Sequence, residues 1–187
     1  NKSVVVSDEC YLEFGDSVKP TSILNYTGGD NTNILAVHSL SKRSSMAGYR
    51  AAFIVGDPAL IARILEVRKH AGMMVPLPVQ VAMIAALSEE DHVVQQRARY
   101  NSRRATLAPA LQAAGFTIEN SEAGLYIWAT RHEDCWDSVS WLAELGIIAT
   151  PGVFYGDLGA SHIRIAMTAT DAQIAEAAAR ITSKVGA

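Results

Sequence analysis

The residues best suited to chemistry lie in one stretch, Ser39-Leu40-Ser41-Lys42-Arg43-Ser44-Ser45-Met46-Ala47-Gly48-Tyr49-Arg50. Taken alone, a lysine in a serine-rich loop is most often simply solvated. Here Lys42 closely follows the apolar run Ile34-Leu35-Ala36-Val37, which reads as a buried strand, and it has hydroxyls on both sides. Eight positions further on, behind the flexible Gly48, stands Arg50. The planar fork of Arg50 and the hydroxyl of Ser39 suit a phosphate dianion, while the amine of Lys42 can reach an aldehyde. Cationic or desolvating neighbours bias a lysine toward the neutral, nucleophilic amine that imine formation needs.

Two other places hold candidate residues. Ser7-Asp8-Glu9-Cys10-Tyr11 closes the apolar run Val4-Val5-Val6, and open α/β sheets place ligands at the carboxyl ends of their strands. An Asp and a Tyr three apart mean little in isolation. Near the end of the chain, His162-Ile163-Arg164-Ile165-Ala166-Met167 sets an arginine inside an apolar strand. On pattern alone Arg164 is an outward-facing residue of an alternating strand.

These residues need a frame. The runs at Val4–Val6, Ile34–Val37 and Ala51–Val55 read as buried strands separated by polar, Gly-rich loops. Asp57-Pro58 is a helix start, with Leu60, Ile61, Ile64 and Leu65 along one face and Gly72 at the end. Met73 to Pro78 is an apolar, proline-punctuated connector, and Val79 to Ala114 is helical in character with a break near Ser88. The pattern changes after Gly115. Short strands are expected at Phe116–Glu119, Leu125–Trp128, Ile147–Ile148 and Ile163–Ile165, with a helix from Trp136 to Leu145. A last helix opens on a Thr170/Gln173 capping pair. The expected organisation is the end of a large α/β domain over residues 1–88, then an interdomain helix and a small α+β domain over residues 89–187.

Bulk properties narrow the partners. The 187 residues carry a formal charge of -3 and no basic stripe, which argues against nucleic acid. The chain has no apolar run long enough for a bilayer, and its opening is too short and too soon broken by Asp8 for a signal peptide, so a cytoplasmic protein is expected. Cys10 and Cys135 lack metal-ligand spacing and read as packed, reduced thiols, so no metal is expected. An opening without Met suggests a chain that begins inside a larger protein.

The Ser39–Arg50 segment resembles the signature of class I and II aminotransferases, Ser-x-(Ser/Ala)-Lys followed by Gly-x-Arg and two small residues, completed here by Ala51 and Ala52. The resemblance implies a fold-type I pyridoxal-phosphate-dependent transferase. It assigns Lys42 to the Schiff base with the cofactor, and Ser39 and Arg50 to the cofactor phosphate. Asp8 would hold a proton on the pyridine nitrogen, Tyr11 would bond the ring's phenolic oxygen, and Arg164 would grip the substrate α-carboxylate. The turn Ala149-Thr150-Pro151-Gly152-Val153-Phe154-Tyr155-Gly156 resembles the family's Pro-Gly-x-x-Phe-Gly segment and either lines the same mouth or is only a tight turn.

Stretches outside the signature, among them Asp8-Glu9-Cys10-Tyr11-Leu12, Val55-Gly56-Asp57-Pro58 and Ser121-Glu122-Ala123-Gly124-Leu125-Tyr126, narrow the resemblance. They are similar to the branch that exchanges an amino group between glutamate and N-succinyl-2-amino-6-oxopimelate, on the route to diaminopimelate and lysine. The resemblance covers only the second half of such an enzyme. It implies that the chain alone is inactive, that a first half of the same enzyme supplies further cofactor contacts, and that the enzyme is a homodimer whose Met73–Pro78 connector reaches the partner's site. Another aminotransferase, a pyridoxal-phosphate β-lyase, the sensor domain of a transcription regulator and a purely structural paralogue remain as alternatives.

Overall fold

A computed structural model describes residues 3–186; Asn1 and Lys2 of the opening segment, and Ala187, lie outside the described residues. The residues up to Gly15 together with Lys19–Gln95 form one compact unit, and Asp16–Val18 with the residues from Gln96 onward form a second.

In the first unit, strands β1 (Val5–Asp8), β2 (Ile34–Ser39) and β3 (Ala52–Gly56) form a sheet in the order β1-β2-β3. β1 and β2 run parallel with Asp8 opposite Val37, whereas β3 returns antiparallel with Ala52 opposite Ser39. The reversal has a local reason. Residues 40–51 hold only a one-turn helix, α1 (Leu40–Arg43), and a 3-10 turn, Ala47–Tyr49, which is too little regular structure for a crossover. Of the three runs read as buried, β2 holds Leu35 and Ala36 in the core, but Val5 and Val6 of β1 are 47% and 58% exposed. β1 has a single neighbour among the described strands, and its other edge is unpaired within this chain.

Gly56 (φ 134°) ends β3 where a Cβ would stand 2.1 Å from the Ile34 carbonyl oxygen, so only glycine fits. Asp57 then caps α2 (Pro58–His70), accepting from the Ala59 and Leu60 amides. Helix α3 (Leu77–Leu87) is apolar on all sides, yet none of its residues is buried, and Met73 and Met74 of the connector before it are exposed. Among the described residues no helix is long and apolar enough to cross a membrane.

The division between units falls inside α4 (Asp91–Ala113). The second unit carries a four-stranded antiparallel sheet, β4 (Thr117–Ile118), β5 (Tyr126–Thr130), β6 (Thr150–Pro151) and β7 (His162–Ala166), in the order β4-β5-β7-β6. With it go α5 (Cys135–Glu144) and α6 (Asp171–Val185). Leu111, Ile127, Leu142, Ile163, Met167 and Ile181 are fully enclosed in one core, and each such side chain contributes about 1.5–3 kcal/mol. The capping box at Thr170 and Gln173 is present. The strand expected at Ile147–Ile148 lies instead at Thr150–Pro151. Ile147 is still occupied in closing α5, its amide bonded to the Leu142 carbonyl across Gly146 (φ 71°), and Ile148 is left 95% exposed.

Candidate active site

The carboxyl edge of the first unit's sheet gathers five of the candidate residues. Because β1 and β2 are parallel, Asp8 and the Ser39–Lys42 turn leave the sheet on the same side. Because β3 is antiparallel, Arg50, two residues before it, enters from that side too. Ser39 is the N-cap of α1: its hydroxyl accepts the Ser41 amide at 3.1 Å and donates to the Ala51 carbonyl at 3.3 Å. Lys42 therefore sits half-buried on a single helical turn pinned to both flanking strands.

The next residue anchors that turn further. Arg43 donates to the Ala86 carbonyl at 3.0 Å, pairs with Glu90 and lies 3.7 Å from a Glu13 oxygen. Arg50 adopts a left-handed backbone (φ 53°, ψ 44°), uncommon for a residue with a Cβ. One of its terminal nitrogens donates to the Ala47 carbonyl at 2.8 Å, and no carboxylate pairs with it among the described residues. It stands at the rim of a concavity of about 380 Å3 lined by Val37, Phe53, Ile54, Ile61 and Arg68.

Asp8 is exposed at the strand end and accepts the Cys10 amide at 3.1 Å. Hydrogen bonding from the Cys10 side chain and amide holds its carboxyl below the usual carboxylate range, against a smaller opposing effect of burial. The thiol of Cys10 is pushed up to about 11, first by burial and then by Asp8. Alkylation of Cys10 at pH 8 is therefore expected to run roughly tenfold slower than that of an ordinary exposed thiol, after allowing for the greater nucleophilicity of a more basic thiolate, and to accelerate through pH 10. Iodoacetamide labelling followed by mass spectrometry measures this, and a fast reaction at pH 8 would contradict the Asp8–Cys10 arrangement. Tyr11 lies in the turn after β1, where the Leu12 amide bonds the Glu9 carbonyl.

Sequence reading passed over Glu9 and His38. Glu9 is buried to 8% exposure, accepts the Ile23 amide at 2.8 Å and sets its other oxygen 3.4 Å from His38 Nε2. Burial alone would raise its pKa, but the Ile23 amide, the Ser22 and Ser7 side chains and His38 hold it below the ordinary value. His38 in turn stacks on Phe53. A polar residue at the end of an apolar run was the available signal.

In the second unit, Arg164 projects from the face of β7 away from the core, as the alternation of buried Ile163 and Ile165 requires. That face is not bare. Its guanidinium carbon lies over the Tyr126 ring at 4.1 Å and over the Tyr155 ring at 4.8 Å, and no carboxylate pairs with it among the described residues. Opposite Arg164 on β5 stands Trp128, stacked parallel on His162 at 5.0 Å, while His162 Nε2 lies 3.1 Å from a Glu119 oxygen.

The donor set at the sheet edge could hold pyridoxal phosphate. It offers an amine for the aldehyde, a guanidinium and a hydroxyl for the phosphate, and a carboxylate of lowered pKa for a protonated ring nitrogen.

Comparison with known proteins identifies the family. The family model "Aminotransferase class I and II" matches residues 1–181. A probable aminotransferase of Mycobacterium tuberculosis is 59% identical over 181 residues, 96% of this chain and 43% of the relative. The 4-dedimethylamino-4-oxo-anhydrotetracycline transaminase of Streptomyces rimosus is 57% identical over 182 residues, 96% of this chain and 51% of the relative. An LL-diaminopimelate aminotransferase of Dehalococcoides mccartyi is 34% identical over 183 residues, 95% of this chain and 47% of the relative. Among solved structures, an aminotransferase from Neisseria meningitidis aligns with a TM-score of 0.87 at 32% identity, covering 97% of this chain and 49% of that one. The chain spans about half the length of these relatives. It belongs to the class I and II aminotransferases, a pyridoxal-phosphate-dependent family of the fold-type I architecture.

Proposed function

We propose that the whole protein of which this chain is part transfers an amino group between glutamate and an oxo acid, with N-succinyl-2-amino-6-oxopimelate as the acceptor. The observation that carries the reaction is the convergence of Asp8, Ser39, Lys42 and Arg50 on one sheet edge. The stretches outside the lysine signature and the 34% identity to an LL-diaminopimelate aminotransferase support the acceptor. The transaminase relative at 57% identity favours a second reading, a bulkier ketone acceptor.

When bound, pyridoxal phosphate supplies an electron sink for the charge left as an amino acid loses its α-proton. Lys42 Nζ would hold the cofactor and, once released by the incoming amino group, take the proton from the substrate Cα. Ser39 and Arg50 would hold the phosphate and so keep the lysine and the ring in register. Asp8, anionic through the neutral range, would keep the ring nitrogen protonated, and Tyr11 would donate to the phenolic oxygen. Arg164 would bind the substrate α-carboxylate through two parallel hydrogen bonds. The Met73–Pro78 connector is read as reaching the partner's site in a homodimer, where Met73 and Met74 would not face water.

The test is an absorbance spectrum of the full-length protein with pyridoxal phosphate, before and after glutamate. A visible band that glutamate abolishes supports transamination; no band with the cofactor refutes it. A panel of oxo acids, cystathionine and a tetracycline ketone then separates the acceptor readings and the β-lyase. Replacing Arg164 by alanine is expected to raise KM for glutamate and for the oxo acid by about a hundredfold, the loss of two charge-assisted hydrogen bonds, with a smaller change in kcat. Steady-state kinetics on both acids reads this out, and an unchanged KM would remove Arg164 from the substrate site.

A further inference from the structure

The turn after β6 does more than reverse the chain. Gly152 and Gly159 close it on itself: a Cβ on Gly152 would stand 2.3 Å from the Gly159 carbonyl oxygen, 2.6 Å from that of His162 and 2.8 Å from the Trp128 side chain. The closure fixes the 3-10 turn Gly152–Tyr155 and with it the ring of Tyr155. That ring meets Trp128 edge-on, with centroids 5.9 Å apart at 80°, and also lies under the Arg164 guanidinium. Trp128 is itself backed by His162, which Glu119 holds. Arg164 therefore rests against two tyrosine rings, one from β5 and one from the turn, and the second ring is supported by a stacked row of side chains.

We infer that Tyr155 is a positioning residue for Arg164, holding the guanidinium so that its in-plane N–H edge is presented to a substrate carboxylate. All five N–H donors of a guanidinium lie in its plane, so a ring over the face competes with none of them. A long arginine side chain otherwise surrenders rotamer freedom when it binds a carboxylate, and a side chain already held in place surrenders less. The inference rests on the reading of Arg164 as the carboxylate-binding group. It adds to that reading a residue from the turn and the reason the turn must close so tightly.

The experiment uses the full-length holoenzyme and four variants, Tyr155→Ala, Tyr155→Leu, Tyr155→Phe and Arg164→Ala. Binding of maleate, a dicarboxylate that cannot react, is measured by calorimetry, and KM and kcat are measured for glutamate. Tyr155→Ala and Tyr155→Leu are expected to raise both the maleate Kd and the glutamate KM roughly five- to tenfold, with kcat changing less than about twofold, while Tyr155→Phe stays near wild type. The inference is overturned if Tyr155→Ala binds maleate as wild type does while Arg164→Ala does not. It is equally overturned if Tyr155→Leu restores binding, since bulk and not a ring face would then suffice, or if Tyr155→Phe is as weak as Tyr155→Ala, since the hydroxyl would then be the active group. Wild-type maleate binding in Arg164→Ala would instead remove the carboxylate site itself, and the inference with it.

Discussion

The full-length protein carrying Lys42→Ala is expected to lose turnover by roughly ten-thousandfold or more, because in the proposed mechanism one amine both holds the cofactor and moves the substrate α-proton. Within the Ser39–Arg50 segment Lys42 is the one amine. Lys42 stands on a four-residue helix whose start is capped by Ser39 and whose end is tied through Arg43 to the Ala86 carbonyl. The cationic groups nearest in sequence, Arg43 and Arg50, are guanidiniums, which do not form an imine with an aldehyde as an amine does. Stopped-flow absorbance separates the two duties. The variant should lack the visible band of a lysine-held cofactor, and half-reactions with glutamate should be correspondingly slow. Added small primary amines should restore part of the proton transfer. Near-wild-type turnover in Lys42→Ala would refute the proposed mechanism as a whole.

The second large effect is expected at Asp8. Replacing it by alanine should lower kcat/KM by about a hundred- to a thousandfold, the scale of losing one buried or ligand-facing charge opposite a developing charge, while much of the cofactor is retained through Ser39, Lys42 and Arg50. The pH sign follows from the lowered pKa. A carboxyl held below its ordinary value is ionised above that ordinary value and loses its charge only as pH falls through the depressed one. Between about pH 5 and 8 Asp8 is an anion, so the Asp8→Ala deficit should be constant across that window and shrink only at lower pH. A pH–rate comparison of the two proteins measures it. A deficit that vanished by pH 6 would show that the carboxylate is not held as the Asp8–Cys10 contact requires.

A good deal of this was legible in the amino-acid sequence, and for definite reasons. The Ser39–Arg50 spacing encodes chemistry within a dozen residues, so it does not depend on how distant parts of the chain meet. Asp57-Pro58 and Thr170/Gln173 start helices through bonds to their own neighbours, and the structure carries both caps where they were expected. The helical stretch after the connector also breaks near Ser88, between α3 and α4. Such signals are short-range, and tertiary context does not overrule them.

Other features were decided only by the folded chain. Ile147–Ile148 has strand-like residues, yet the closing bond of α5 claims Ile147 first. The setting of Arg164 shows the difference most clearly. Its own strand declares only an outward-facing arginine. Tyr126 and Trp128 reach the same face through the β5–β7 register, and Tyr155 arrives from a turn that closes because Gly152 and Gly159 pack backbone against backbone. The candidate cofactor groups within Ser39–Arg50 could be read from the chain alone because their spacing is local, whereas Asp8 joins them only through the parallel pairing of β1 and β2. Only the tertiary structure decided which rings surround the arginine, because contacts between residues 126, 128, 155 and 164 arise from strand pairing and loop closure, and neither leaves a local trace in the chain.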